Sequence, residues 1–145
     1  MARRPVANAP GWQCPACGRR FRQRTREHSC VVTTLATHLA RASTDVKNTV
    51  AALQDALAAI GPHATVPVKT MVLFRATANF AGLVVRRDRV HLEFVLPRAL
   101  ESARIHKRDS LGPRRYTHHV HLVSPADIDR ELVSWLRESY QSVAR

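Results

Sequence analysis

Every cysteine of the chain falls in one short window, from Trp12-Gln13-Cys14-Pro15-Ala16-Cys17-Gly18 to His28-Ser29-Cys30. Cys14, Cys17, His28 and Cys30 offer four soft ligands, the number that a closed structural zinc site takes. Cys14-x-x-Cys17 puts two sulfurs on one tight turn. His28-x-Cys30 brings the second pair, and residues two apart point to the same side of an extended segment, so this spacing suits a strand or turn. Trp12 and Phe21 flank the first pair and can supply the small apolar core that such a head needs. The window therefore predicts a Zn2+ ion held for structure, with no position left open for catalysis. A redox dithiol at Cys14 and Cys17 is the weaker alternative, because no strand-to-helix context of a thioredoxin site surrounds it.

A second group of candidates, for a second metal site, is the run His118-His119-Val120-His121 on one expected strand, with His91 or His106 nearby in the sheet. On a strand, alternation sends His119 and His121 to one face and His118 to the other. Two imidazoles converge on this reading, and no carboxylate is in place to orient them. The ordinary expectation is thus satisfied or surface histidines, with Asp109 and Ser110 as loop residues nearby. A third group is cationic. Lys69, Arg75, Arg114 and Arg115, joined by His119 or His121, could line a concave sheet face for phosphate or carboxylate, because arginine's planar fork meets such anions with two bonds. The bland alternative is a solvated basic edge that deters aggregation.

Charge extends the argument. The 145 residues carry a formal net charge of +12, with 23 Lys and Arg against 11 Asp and Glu. A field of that size favours polyanions. The first 30 residues hold seven arginines (Arg3, Arg4, Arg19, Arg20, Arg22, Arg24 and Arg26) and one acid, Glu27. Arg19, Arg20, Arg22, Arg24 and Arg26 are the candidates for phosphate contact. Aromatic residues are only 6% of the chain, too few for an extended base-stacking surface. Hydrophobic residues reach 45%, enough for a real core. No apolar run approaches the roughly 20 residues that cross a bilayer. The N-terminus has no hydrophobic stretch behind its arginines, so a secretory signal is not expected and a reduced, cytoplasmic setting is.

The elements that must position these residues follow from periodicity. Residues 1–10 read as a basic arm, 11–31 as the metal head and 32–145 as a folded body. A short helix is expected within Thr33–Arg41. Thr44 then caps a helix carrying Val46, Val50, Leu53, Leu57 and Ile60 at helical spacing, closed by Gly61-Pro62. From Thr65 the period shortens. Strands are expected over Val66–Ala76, Asn79–Arg86 and Val90–Leu96, with Arg87-Asp88 as a turn and Pro97 as a stop. A further pair is expected at Ala103–Arg108 and Tyr116–Val123, around a loop at Asp109–Pro113. Ser124-Pro125-Ala126-Asp127 opens a last helix, whose buried stripe is Ile128, Leu132, Trp135, Leu136, Tyr140 and Val143. The body is α+β, an antiparallel sheet packed with an early and a C-terminal helix.

The pattern Trp12-x-Cys14-Pro15-x-Cys17-Gly18-Arg19-x-Phe21, closed by His28-Ser29-Cys30, resembles the head of a bacterial domain-of-unknown-function family common in actinobacteria. The likeness continues through Gly61-Pro62, Val68-Lys69-Thr70, Phe80-Ala81, Leu111-Gly112-Pro113, His118-His119-Val120 and Ser124-Pro125 to Trp135-Leu136. It implies a zinc-knuckle-like segment followed by a compact α+β domain, and brings no established activity. The head also resembles the first half of a two-Cys two-His finger. Its second half departs from that pattern, so a base-reading finger helix is not implied.

No glycine-rich phosphate loop, nucleophile elbow or His-Glu-x-x-His segment is present. The expected function is a small zinc-binding, non-catalytic accessory that binds RNA, DNA or a ribonucleoprotein through basic surface. The alternatives are a module that holds a small anion or acidic partner on the sheet face, and a metal-dependent enzyme using the histidine-rich strand.

Overall fold

A computed structural model of the chain describes residues 12–13, 20–21 and 33–144. The chain divides into two units, residues 1–32 and 33–145. In the first, β1 (Trp12–Gln13) and β2 (Arg20–Phe21) pair antiparallel, with Trp12 opposite Phe21 and Gln13 opposite Arg20. Cys14 and Cys17 stand between these strands in sequence. They lie outside the described residues, as do His28, Cys30, Arg19, Arg22, Arg24, Arg26 and the basic arm.

The second unit opens with α1 (Leu35–Leu39) and α2 (Thr44–Ile60). Ser43, not Thr44, caps α2: its backbone is extended and its hydroxyl accepts the Val46 N–H at 3.2 Å. Serine does this well because the short side chain reaches one of the four amides that the helix leaves unpaired. Val46, Val50, Leu53 and Leu57 form one stripe and are fully buried. Each such side chain contributes about 1.5–3 kcal/mol on leaving water.

Six strands follow: β3 (Ala64–Pro67), β4 (Val72–Arg75), β5 (Asn79–Val85), β6 (Val90–Leu96), β7 (Lys107–Gly112) and β8 (Arg115–Leu122). Their order across the antiparallel sheet is β3-β4-β5-β6-β8-β7. The meander thus breaks once, where β8 inserts between β6 and β7. One sheet face is apolar: Val72 and Phe74, Ala81 and Leu83, Val90, Leu92, Phe94 and Leu96, Val120 and Leu122 are buried there. They form one core with α2 and with Leu132, Trp135 and Leu136 of α3 (Arg130–Val143). The other face carries half-buried Leu73, Val84, His91, Glu93 and Val95.

Three boundaries differ from the sequence reading. The run Val66–Ala76 is two strands, because the chain turns between Pro67 and Val72, with Val68 N–H donating to the Met71 carbonyl at 2.8 Å. His38 Nε2 meets the Val68 carbonyl at 2.7 Å and ties α1 to that turn. The strand expected at Ala103–Arg108 lies at Lys107–Gly112, so Asp109 and Ser110 are strand residues. Polar side chains are tolerated there because β7 is an edge strand. Residues 97–106 form the connection instead. They are held by Arg104, which donates to Asp129, to Glu131 and to the Asp127 carbonyl, with its guanidinium 5.7 Å from the Trp135 ring centre. Finally, Ser124–Asp127 starts only a single 3-10 turn (Pro125–Asp127), in which the Asp127 carboxylate accepts from Val123 N–H at 2.7 Å. The α-helix proper is capped by Asp129, which accepts from Leu132 N–H at 3.0 Å.

Among the described residues, no helix is long and apolar enough to cross a membrane.

Candidate metal centre

The pairing of β6 with β8 builds the site. His91 stands opposite His121, and Glu93 opposite His119. Alternation then sends these four to one face, while Leu92, Phe94, His118 and Val120 turn to the core. On the other side of β8, Lys107 stands opposite His119 and Asp109 opposite Thr117, which brings Asp109 beside His119. His106, one residue before β7, donates its N–H to the His119 carbonyl at 3.0 Å. Its ring stacks on His121 with centres 4.0 Å apart. Four imidazoles therefore gather where the sequence reading expected two to converge. The ring centres of His106, His119 and His121 lie 5.1, 5.1 and 5.3 Å from that of His91.

His91, His106 and His121 each offer a nitrogen, and these atoms lie within 4.8 Å of one another. They are close enough to bind a metal ion. Around a tetrahedral ion with bonds of about 2.0–2.1 Å, ligand nitrogens sit about 3.4 Å apart, so side-chain rotation of an ångström or so would close the set. His119 is the support. Its Nε2 lies 3.1 Å from the Asp109 carboxylate, and its Nδ1 lies 2.9 Å from Nε2 of His91. A carboxylate only accepts, so Nε2 of His119 carries a hydrogen. In neutral His119, Nδ1 is then an acceptor. Nε2 of His91 donates to it, and Nδ1 of His91 keeps the free lone pair. A metal-binding imidazole oriented through its other nitrogen, with a carboxylate behind, is the usual outer arrangement of such centres. The expectation that no carboxylate is in place is thereby corrected: Asp109 is.

Burial, with the neighbouring histidines and Arg86, lowers the His91 pKa from 6.5 to about 4. Burial, His106 and Arg89 lower that of His121. Neutral imidazoles with available lone pairs are the form that a metal needs.

Residues 35–143 match the family described as "Domain of unknown function (DUF5655)". The match spans well over half of the chain. The chain belongs to this family. No curated protein and no solved structure matches it. The DUF5655 match opens at α1 and closes at the end of α3, so the whole histidine cluster lies inside the family domain and the cysteine window outside it.

In this DUF5655 domain the remaining candidates are dispersed. Lys69 lies in the turn between β3 and β4. Arg75 ends β4, donates to Asn79 Oδ1 at 3.4 Å and lines a cleft with His63, Thr77 and Tyr140. Arg114 and Arg115 do come together, in a cavity of about 490 Å3 with Val95, Pro97, Ser142 and Val143. His119 belongs to the histidine cluster. Arg20 pairs with Gln13 in β2. The expected zinc ligands and the other head arginines lie outside the described residues. The sequence points to His119 and His121 as the converging pair, with His91 or His106 nearby; the structure brings both His91 and His106 to them. The available signal was the His119-x-His121 step on a strand, together with His91 on the polar side of an alternating strand.

Proposed function

We propose that this protein is a metal-binding protein whose working site is a three-histidine centre of His91, His106 and His121. The observation that carries the reading is the convergence of these imidazoles on one sheet face, with His119 and Asp109 arranged behind His91. An all-nitrogen set suits zinc, copper or nickel and disfavours magnesium or calcium, which take oxygen ligands. Three protein ligands leave a tetrahedral ion one open position, the arrangement of centres that bind or activate an exogenous ligand. A separate structural Zn2+ in the head, held by Cys14, Cys17, His28 and Cys30, is part of the proposal. It is supported by the ligand spacing and by the antiparallel pairing of the strands on either side of Cys14 and Cys17.

The test is metal stoichiometry on the full chain. Two ions per chain are expected, and the double variant His91→Ala, His121→Ala should lose one and keep the other. Equal metal content in the two proteins would sink the reading. A second reading, binding of RNA, DNA or a ribonucleoprotein by charge, is favoured by Arg86, Arg87 and Arg89, which are exposed together in the turn between β5 and β6. Such binding should weaken steeply between about 50 and 200 mM salt. A flat response would remove it.

A further inference from the structure

The sheet face is polarised about the histidine pair. Val84 of β5 stands opposite His91 of β6, and Val85 opposite Val90. Alternation therefore puts Arg86 and Arg89 on the face of His91, one step further toward the turn. The turn is closed by Arg86 N–H donating to the Arg89 carbonyl at 2.9 Å. Both arginine side chains are exposed, and neither takes part in an ion pair among the described residues. The opposite side of the pair carries Glu93 and His119, with Asp109 held by His119 and, at 3.8 Å, by Lys107. Asp88, in the turn itself, is the other acid on the arginine side.

A dication on three neutral imidazoles keeps its full charge. Placed next to two free guanidiniums, it calls for an anion between them. Two residues along a strand span about 6.6–6.8 Å. One tetrahedral oxyanion reaches that far, with one oxygen about 2.0–2.2 Å from a metal and another about 2.8 Å from an arginine N–H. A single carboxylate or halide bridges less well. Resting on the metal reading above, we infer that the centre takes a phosphate group as its exogenous ligand, with one oxygen on the metal and others held by Arg86 and Arg89.

The test uses the full chain loaded with Co2+, whose visible bands report its ligands, at about 150 mM salt to screen diffuse charge. The variant His91→Ala, His121→Ala supplies the baseline for any cobalt bound elsewhere. Inorganic phosphate and dimethyl phosphate are the probes. The expected result is a saturable shift of the His91-dependent band with phosphate. In Arg86→Gln, Arg89→Gln, phosphate should bind at least tenfold more weakly while Co2+ binds as tightly as before. A shift with dimethyl phosphate as well identifies a phosphodiester backbone as an acceptable source; a shift with inorganic phosphate alone identifies a free or terminal phosphate. A His91-dependent band that neither probe moves overturns the inference, as does equal phosphate affinity in the arginine variant. Failure to observe any His91-dependent band instead overturns the metal reading, and this inference with it.

Discussion

Asp109 offers the sharpest test of the histidine centre, because it touches no proposed ligand directly. It lies 3.1 Å from Nε2 of His119, whose Nδ1 is 2.9 Å from His91. A hydrogen bond to a charged group contributes about 1.5–3 kcal/mol. The Asp109 side chain is 45% exposed, so the lower end applies. Removing an outer-shell partner of this kind weakens metal affinity about 10–100-fold. For Asp109→Ala we expect about a tenfold loss, equivalent to about 1.4 kcal/mol. Asp109→Asn should fall between that variant and the native chain, since its amide oxygen still accepts from His119 but without charge. The fold should not suffer. Among the described residues, the Asp109 carboxylate has one other ion-pair partner, Lys107 at 3.8 Å, and a pair this exposed contributes less than about 1 kcal/mol. Competition between the protein and a chelator reads the affinity, and urea unfolding of the metal-free protein reads stability. Unchanged affinity in Asp109→Ala would refute the relay from Asp109 through His119 to His91. A stability loss as large as the affinity loss would show that Asp109 acts on the fold and not on the metal.

Three further outcomes are expected. Metal-free protein should lose stability as pH falls from about 6.5 toward about 4: with His91 lowered to about 4 and His118 and His121 also lowered, the unfolded chain binds more protons across that window, so stability rises with pH. Urea midpoints against pH measure the slope, and His118→Phe, which keeps a ring against Phe94, should flatten it. Arg104→Ala should cost about 1–2 kcal/mol in urea unfolding, because it removes the bonds to Asp129, Glu131 and the Asp127 carbonyl and the contact over Trp135. Gly61→Ala should cost about 1–3 kcal/mol of thermal stability, since its Cβ would lie 2.6 Å from the Tyr140 hydroxyl that donates to the Pro62 carbonyl; a neutral result would mean that Tyr140 swings aside freely.

How far the sequence carried the argument depended on whether a feature was local. The α2 stripe was legible because Val46, Val50, Leu53 and Leu57 repeat at the helical period, and its cap was misplaced by one residue because Ser43 and Thr44 are both competent. Strand β6 was legible because Val90, Leu92, Phe94 and Leu96 are all buried and strictly alternate. Strand β7 was missed by four residues for the opposite reason. Its Lys-Arg-Asp-Ser-Leu-Gly run has no apolar alternation, and only the ladder to β8 makes it a strand. The loop expected at Asp109–Pro113 starts too early: β7 runs on to Gly112, and the tight residues of the turn are Gly112, at φ 133°, and Arg114, at φ 62°.

The same limit explains the histidines. Alternation alone separated His118 from His119 and His121, and His118 does turn inward, fully buried, stacked on Phe94 and accepting the Leu100 N–H at Nε2. That bond ties the 97–106 connection to the core, while the buried Nδ1 has no hydrogen-bond partner among the described residues, which is a cost. What alternation could not say is which strand lies next to β8. Had the meander continued in order, β7 would separate β6 from β8, and His91 would stand a strand away from His121. The one exchange in strand order joins His91 to His121 and places β7 on the far side of β8. There His106 reaches His121 and Asp109 reaches His119. The candidate centre is thus a consequence of topology acting on residues that look unremarkable in sequence, and it exists only as long as the long 97–106 connection returns to the outer edge. Arg104 and His118, two of the side chains that pin that connection, therefore support the site without touching it.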